Sequence, residues 1–238
     1  MRTMNPRTHD GCPTCKDTGW LVLDAYPGDS GFGELVECPC KLPTRRRCEA
    51  WDLMFRVNGW VPDKTFASWS LDEKVGHKKR VAAAIGAGEY ARNYRKRWLV
   101  LSGVKGSGKT HLAAAITNSV RASGEAACFV NAVRLIEWFK RTLQDTDGRR
   151  VTFSEALEQI KLVPVLVLDD LGAERETDWT REVLYSLLND RYDWRLSTVV
   201  TTNADAESLD PRIASRLRDR GLVTVVDCGD VDYRRLSR

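Results

Sequence analysis

The chain has 238 residues, enough for one or two compact domains with a full hydrophobic core. Its 42% hydrophobic and 29% charged residues exclude a disordered or fibrous chain, and no apolar run approaches the roughly 20 residues that span a bilayer, so no membrane partner is expected. A formal charge of +4 permits nucleic acid without implying it, and the polar first ten residues hold no apolar signal segment, which predicts a cytoplasmic protein.

Five of the seven cysteines fall within the first 48 residues. In a reducing compartment such crowding predicts metal rather than disulfides. Cys12 and Cys15 form a C-x2-C pair, and Cys38 and Cys40 form a C-x-C pair after 22 intervening residues. Two close thiolate pairs at that separation suit a tetrahedral structural Zn2+. His9 and Cys48 are substitutes if the tighter pair supplies only one ligand. The opposing reading, reduced cysteines in a small core, suffers from how few other core residues the segment has. Residues 1–48 are therefore read as a zinc-binding domain. Residues 49–65, with Trp51, Phe55 and Trp60 as anchors, are read as a linker, and 66–238 as a second domain.

Strands and helices alternate through that second domain. A helix is predicted over 76–95, within a run from 74 to 98 that holds eight Lys/Arg against the single acid Glu89. Such a run is either a solvated helix face or a phosphate contact. A strand over 98–101, a glycine turn and a helix over 109–121 follow. Next come a strand over 127–131, a helix over 133–144 and a strand over 163–168. The helix over 179–192 carries Val183, Leu184, Leu187 and Leu188 on one stripe. A strand over 197–202, a basic helix over 211–219 and a strand over 222–226 complete the pattern. Strands apolar throughout, alternating with helices, predict an α/β fold with a parallel sheet covered on both faces. Cys128 and Cys228 lie in apolar strand contexts and are expected to be buried packing residues.

Gly103-Val104-Lys105-Gly106-Ser107-Gly108-Lys109-Thr110 satisfies G-x-x-x-x-G-K-[ST] between a strand and a helix. The glycines let backbone N–H groups curl around phosphate oxygens, with the helix N-terminus behind them. Lys109 would reach the β- and γ-phosphates and the Thr110 hydroxyl would hold Mg2+. Asp169 and Asp170 end the apolar strand at the sheet edge where α/β ligands bind. Asp169 would then hold Mg2+ and Asp170 would orient or deprotonate water, unless Asp170 only caps the following turn. Asn203, closing the next strand, is either a turn former or an amide that positions that water. Arg212 and Arg216, four apart on one helix face, are solvated charges, partners for Asp210 and Asp219, or an arginine finger for a neighbour's phosphoryl group. On the helix over 133–144, Leu135, Ile136, Phe139 and Leu143 form an apolar stripe. Arg134, Trp138 and Arg141 share another side, an arrangement suited to single-stranded DNA unless Trp138 simply packs at the domain edge.

Taken together, these motifs resemble the AAA+ ATPases. More narrowly, the chain resembles the bacterial replicative helicase loaders of the DnaC/DnaI group and the IstB transposition ATPases. The resemblance rests on Phe66-Ala67-Ser68-Trp69, GVKGSGKTHLAAAI at 103–116, LVLDDLGAE at 166–174, TTNAD at 201–205, RIASRL at 212–217 and DYRR at 232–235. It implies an AAA+ P-loop core with the helical lid reduced or absent. ATP and Mg2+ would be held by the loop from Gly103 to Thr110 and its neighbour His111, with Asp169 and Asp170 as the Walker B pair. Asn203 would be sensor 1, Arg216 the arginine finger with Arg212 beside it, and Arg234 sensor 2. The segment around Phe66 would lie over the adenine. Asp170 stands where most of the wider group has glutamate. The implied function is an ATPase that self-associates through its ATP sites and delivers a hexameric replicative DNA helicase to single-stranded DNA, gripping it through the zinc module. Two alternatives are an IstB-like transposition ATPase and a nucleotide-dependent adaptor with negligible hydrolysis. A small-molecule kinase would need an acceptor pocket that these motifs do not supply.

Overall fold

Near the start of the chain, β1 (Trp20–Val22) and β2 (Leu35–Glu37) pair antiparallel, with Trp20 opposite Glu37. A computed structural model describes residues 20–22, 35–37, 63–69, 77–144, 152–203 and 209–235. The helix α1 (His77–Arg92) leads into the large sheet, built from β3 (Trp98–Ser102), β4 (Ala127–Asn131), β5 (Val165–Leu171), β6 (Ser197–Thr202) and β7 (Val223–Asp227). Its strands run parallel in the order β4-β5-β6-β3-β7. The first strand of this sheet thus lies between the last two, and the crevice for a ligand opens at the end of β3.

The strands are apolar throughout because both faces are covered. Leu99, Leu101, Phe129, Val167 and Val199 pack against α1 and α2 (Lys109–Ala122), chiefly on Ala83, Ala87, Leu112 and Ile116. Their neighbours Trp98, Val100, Val130, Leu168 and Val200 face the other way. There they meet α3 (Ala132–Gln144), α4 (Phe153–Lys161), α5 (Asp178–Asp193) and α6 (Pro211–Leu217), through Leu135, Phe139, Ile160, Leu187 and Ile213. Alternation along each strand sends successive side chains to opposite faces, so two cores form from one run of residues. Cys128 and Cys228 are buried thiols, as expected, and burial pushes the Cys228 thiol up to about 12.

Three features depart from the sequence reading. The predicted helix over 133–144 is present as α3, yet Leu143 at the end of its apolar stripe is 53% exposed. The strand expected to stop at 168 continues to Leu171, through both carboxylates. The helix α4 was not anticipated at all. Its start is a capping box, in which the Thr152 hydroxyl accepts from Glu155 N while the Glu155 carboxylate accepts from Thr152 N. That T-x-x-E pattern was readable, and the short apolar run after it concealed the helix.

What holds α4 in place is Arg191 of α5, which is fully buried and pairs with no carboxylate among the described residues. Its guanidinium donates to Lys161 O and Val163 O at 2.7 Å each, to Ser197 O at 2.7 Å and to the Thr198 hydroxyl at 3.0 Å. The last carbonyls of a helix have no partner within it, and a cation there also opposes the negative end of the helix dipole. Burial lowers the Arg191 pKa to about 9, but its fixed donors, spread over backbone carbonyls and the Thr198 hydroxyl, keep the site satisfied. Replacing Arg191 by Met is expected to strand these acceptors and to cost about 3 kcal/mol or more, read as a fall in Tm of roughly 6–12 °C in a thermal melt. Lysine, with one ammonium in place of the planar fork, is expected to restore little of this.

Candidate nucleotide site

The site begins where β3 stops. Gly106 and Gly108 both lie in the left-handed region, at φ 82° and 97°. A side chain at Gly106 would run into the Asp232 carboxylate, and one at Gly108 would overlap the Trp69 ring. Only glycine meets both demands. Gly108 is also the N-cap of α2 and supplies no side-chain hydrogen bond, so the first N–H groups of the helix stay available for an anion. Lys109 folds back over the loop, its ammonium donating to Gly103 O at 2.7 Å, Val104 O at 2.8 Å and the Ser107 hydroxyl at 3.4 Å. Burial holds the Lys109 pKa below its ordinary value, against the pull of Cys228, Asp170 and Asp169.

The two carboxylates arrive by a break in β5. Leu168 pairs with Val200 and Leu171 with Thr202, so β5 carries one residue more than β6 across this step. The extra turn is taken at Asp170, with φ 64°. The Thr201 hydroxyl accepts from Asp170 N and donates to Asp169 Oδ1, at 2.8 Å each way. Asp169 is nearly buried and also accepts from the Thr110 hydroxyl at 3.4 Å. Burial raises the Asp169 carboxyl above the usual range, while those two hydroxyls oppose the shift. Asp170 instead faces the cavity and accepts from Asn203 Nδ2 at 2.6 Å.

A cavity of about 380 Å³ is lined by Lys109, Thr110, Asp170, Asn203 and Arg234 at one end. Lys64, Ser68, Trp69, Arg80 and Tyr233 line its other end, and Lys105 and His111 also reach it. That volume is typical of a small-molecule site. Three separate segments close it. His111 Nε2, facing a carbonyl, donates to Thr65 O at 2.9 Å, and Asn118 Nδ2 donates to Lys64 O at 2.8 Å, so residues 63–69 dock on α2. Burial keeps the His111 imidazole below its ordinary pKa. The chain after β7 docks on the loop itself through Val104 N to Gly229 O and Tyr233 N to Gly106 O. Between these segments lies the Arg80 guanidinium, 4.3 Å from the Trp69 ring centroid and 3.9 Å from that of Tyr233.

The structure therefore gathers most of the motif residues. Of the segment around Phe66, Phe66 packs half-buried on the core formed with α2, and Trp69, three residues on, lines the cavity. Arg80 lay within the basic run and Tyr233 within the DYRR motif, but no local pattern placed either of them in the cavity wall. Arg212 and Arg216 stand on α6 and are not among the cavity's lining residues. Arg212 pairs with Asp210 and Glu182 at 2.9 Å each and stacks on Tyr185 at 4.0 Å. Arg216 donates to the Tyr185 hydroxyl and Asn189 Oδ1 and lies 5.5 Å from the Tyr192 ring. On α3, Arg134 and Arg141 are exposed, while Trp138 is half-buried against the core and 5.4 Å from Phe139. Cys12, Cys15, Cys38, Cys40, His9 and Cys48 lie outside the described residues.

Known proteins resemble the chain in sequence and fold. The replicative helicase loader DnaC of Buchnera aphidicola subsp. Baizongia pistaciae is 30% identical over 150 residues, which cover 62% of this chain and 59% of that protein. The replicative helicase loader DnaI of Bacillus subtilis is 28% identical over 181 residues, covering 74% and 56%. The chain thus spans little more than half the length of these relatives. A crystal structure of the DnaC helicase loader has the same fold, with a TM-score of 0.59 at 24% identity over 69% of this chain and 96% of that one. The family model for the IstB-like ATP binding protein matches residues 41–227. That match runs from before the docked segment at 63–69 to the last strand of the sheet, and the chain belongs to the family of IstB-like ATP binding proteins.

Proposed function

We propose that the protein is an ATP-dependent loader that delivers a hexameric replicative helicase to single-stranded DNA. Lys109, Asp170 and Asn203 converge on one cavity with Asp169 directly behind them, and that convergence carries the reading. The relatives named replicative helicase loaders supply the direction in which to take it. The Thr110 hydroxyl and the Asp169 carboxylate are the hard oxygen donors Mg2+ prefers, and they would hold it. When bound, the ion neutralises phosphate charge. Lys109 would leave the loop carbonyls for the β- and γ-phosphates, with Arg234 as sensor 2 at the same end of the cavity. Asp170, fixed by Asn203 as sensor 1, would orient the attacking water and accept its proton, giving ADP and phosphate. Trp69, rather than Phe66, would face the adenine.

Arg216, with Arg212 beside it, would serve a neighbouring copy's site, since neither lines the cavity of its own chain. Such a head-to-tail contact closes into a ring or continues as a helix. Residues 1–48 would form the helicase-gripping module around Zn2+ held by Cys12, Cys15, Cys38 and Cys40. The β1–β2 ladder supports this, because Trp20 pairs with Glu37, five residues after Cys15 and one before Cys38. Single-stranded DNA would meet Arg134, Trp138 and Arg141 on α3. The family model favours a second reading, an IstB-like transposition ATPase acting on duplex DNA. Capture of a replicative helicase by the full chain supports the loader; capture of a transposase in its place supports the second reading.

Lys109→Ala is expected to abolish binding of a fluorescent ATP analogue. Asp170→Asn should keep binding and lower turnover by about 100-fold or more; unchanged turnover would mark the protein as an adaptor. Arg216→Ala should lose turnover by about 1,000-fold, and mixing it with Lys109→Ala copies should restore part of it, since each supplies what the other lacks. No recovery in the mixture at any ratio rules out action in trans. Elemental analysis should find one zinc per chain, and Cys38→Ser should lose the metal together with helicase capture while leaving nucleotide binding intact.

A further inference from the structure

The edge of the sheet opposite the nucleotide cavity gathers cations from three distant parts of the chain. β3 is central among the three strands concerned, and its start pairs with the starts of β6 and β7, Trp98 facing Thr198 on one side and Val223 on the other. The loops that enter these strands are bonded together: Arg97 O accepts from Thr198 N, Tyr94 O from the Ser197 hydroxyl, and Leu222 O from Trp98 N. From the first loop come Arg92, Arg95, Lys96 and Arg97, from the second Arg195, and from the third Arg218 and Arg220. All seven are exposed. The same loops hold two carboxylates, Asp193 and Asp219. Asp219 is engaged by the Tyr192 hydroxyl at 2.6 Å and Gly221 N at 2.8 Å, and Asp193 by Asn189 at 2.9 Å. A third acid, Glu125, reaches only Arg95, at 2.5 Å. No salt bridge pairs the other six cations among the described residues.

Two observations separate this edge from an ordinary solvated face. The first is where the charges sit. Lys96 and Arg195 have φ of 56° and 52°. Arg195 is the C′ residue of α5, with Leu196 N bonded to Arg191 O and Arg195 N to Tyr192 O, the position that glycine normally fills. Left-handed backbone is unfavourable for long side chains, so at both turns a cation stands where conformation alone selects against it. The second is how the rest of the basic run is spent. Lys79 pairs with Asp227 and Asp230, and Arg80 is buried between two rings. Lys78, at the start of α1, is exposed as well, and the part of the run from Arg92 to Arg97 stays outward at the end of the sheet where it meets the cations of the other loops. Half-buried Tyr94 and Trp194 lie among them, and such rings offer stacking faces to unpaired bases.

We propose that this edge binds the sugar-phosphate backbone of a nucleic-acid strand, as a surface separate from α3 and from the nucleotide cavity. It shares with the loader reading only the class of partner. The test uses the full chain and labelled single-stranded and duplex oligonucleotides, with anisotropy followed over a salt series. Combining Arg97→Glu, Arg195→Glu and Arg220→Glu should weaken binding to one or both oligonucleotides by about tenfold or more and flatten the log–log salt slope by about two units. Binding of the ATP analogue should be unchanged. Lys96→Gly with Arg195→Gly should raise Tm, because the turns relax, while still weakening DNA binding; a purely structural role predicts the rise alone. Lys109→Ala should leave this binding intact, so a failed loader reading does not mimic a failed surface. Wild-type affinity and slope in both combined variants would overturn the proposal. So would loss of DNA binding only on Trp138→Ala with Arg141→Ala, or variants that lose affinity for anionic phospholipid vesicles and not for DNA.

Discussion

Adjacent residues in a strand point to opposite faces, yet Asp169 and Asp170 both turn toward groups at the cavity, Thr110 and Asn203. That constraint governs the rest. The extra residue in β5 and the left-handed turn at Asp170 resolve it, turning Asp169 toward Thr110 and Asp170 toward Asn203. Such a turn disfavours an ordinary side chain by about 1–2 kcal/mol. Aspartate suffers less than glutamate, because its short carboxylate bonds locally and tolerates positive φ. The shorter acid is thus a better tenant of this backbone than glutamate would be. Thr201 fixes both carboxylates with one hydroxyl, accepting from the backbone of one and donating to the side chain of the other.

β6 holds β5 at both ends. At the site end the link is Thr201, and at the far end it is Arg191, which ties Ser197 and Thr198 to the loop that enters β5. The two links differ in kind. Thr201 gives direction to charged groups that must stay hydrated enough to meet a ligand. Arg191 buries a charge completely and spreads it over neutral carbonyls, which suits an element that only has to stay still. β5 is clamped where it begins and bent where it ends, so the bend cannot relax by sliding the strand.

The sequence made the α/β alternation and the phosphate loop legible because each depends on local pattern: apolar runs, a glycine spacing, a lysine before a helix. It did not make the bulge legible, since LVLDDL reads as a strand ending in acids whichever way they point. Arg191 falls one turn after Leu187 and Leu188 on the apolar stripe of α5, and its role was not legible because its partners lie on other segments. Trp69 was in view as part of the motif that opens with Phe66. Its choice over Phe66 depended on the gap above Gly108, which no local pattern encodes. The basic run from 74 to 98 read as one feature, and tertiary contacts divide it into a paired, a stacked and an outward part.

The glycines of the loop illustrate the same dependence from the other side. Gly106 and Gly108 are usually explained by the phosphates they would surround. Here each is also the seat of a side chain from elsewhere, Asp232 on one and Trp69 on the other. Arg80 lies between the Trp69 and Tyr233 rings and joins those two seats across the cavity. The docked segment at 63–69 and the chain after β7 thus both rest on the loop. The residues before α1 and after β7 line the cavity together with the loop itself.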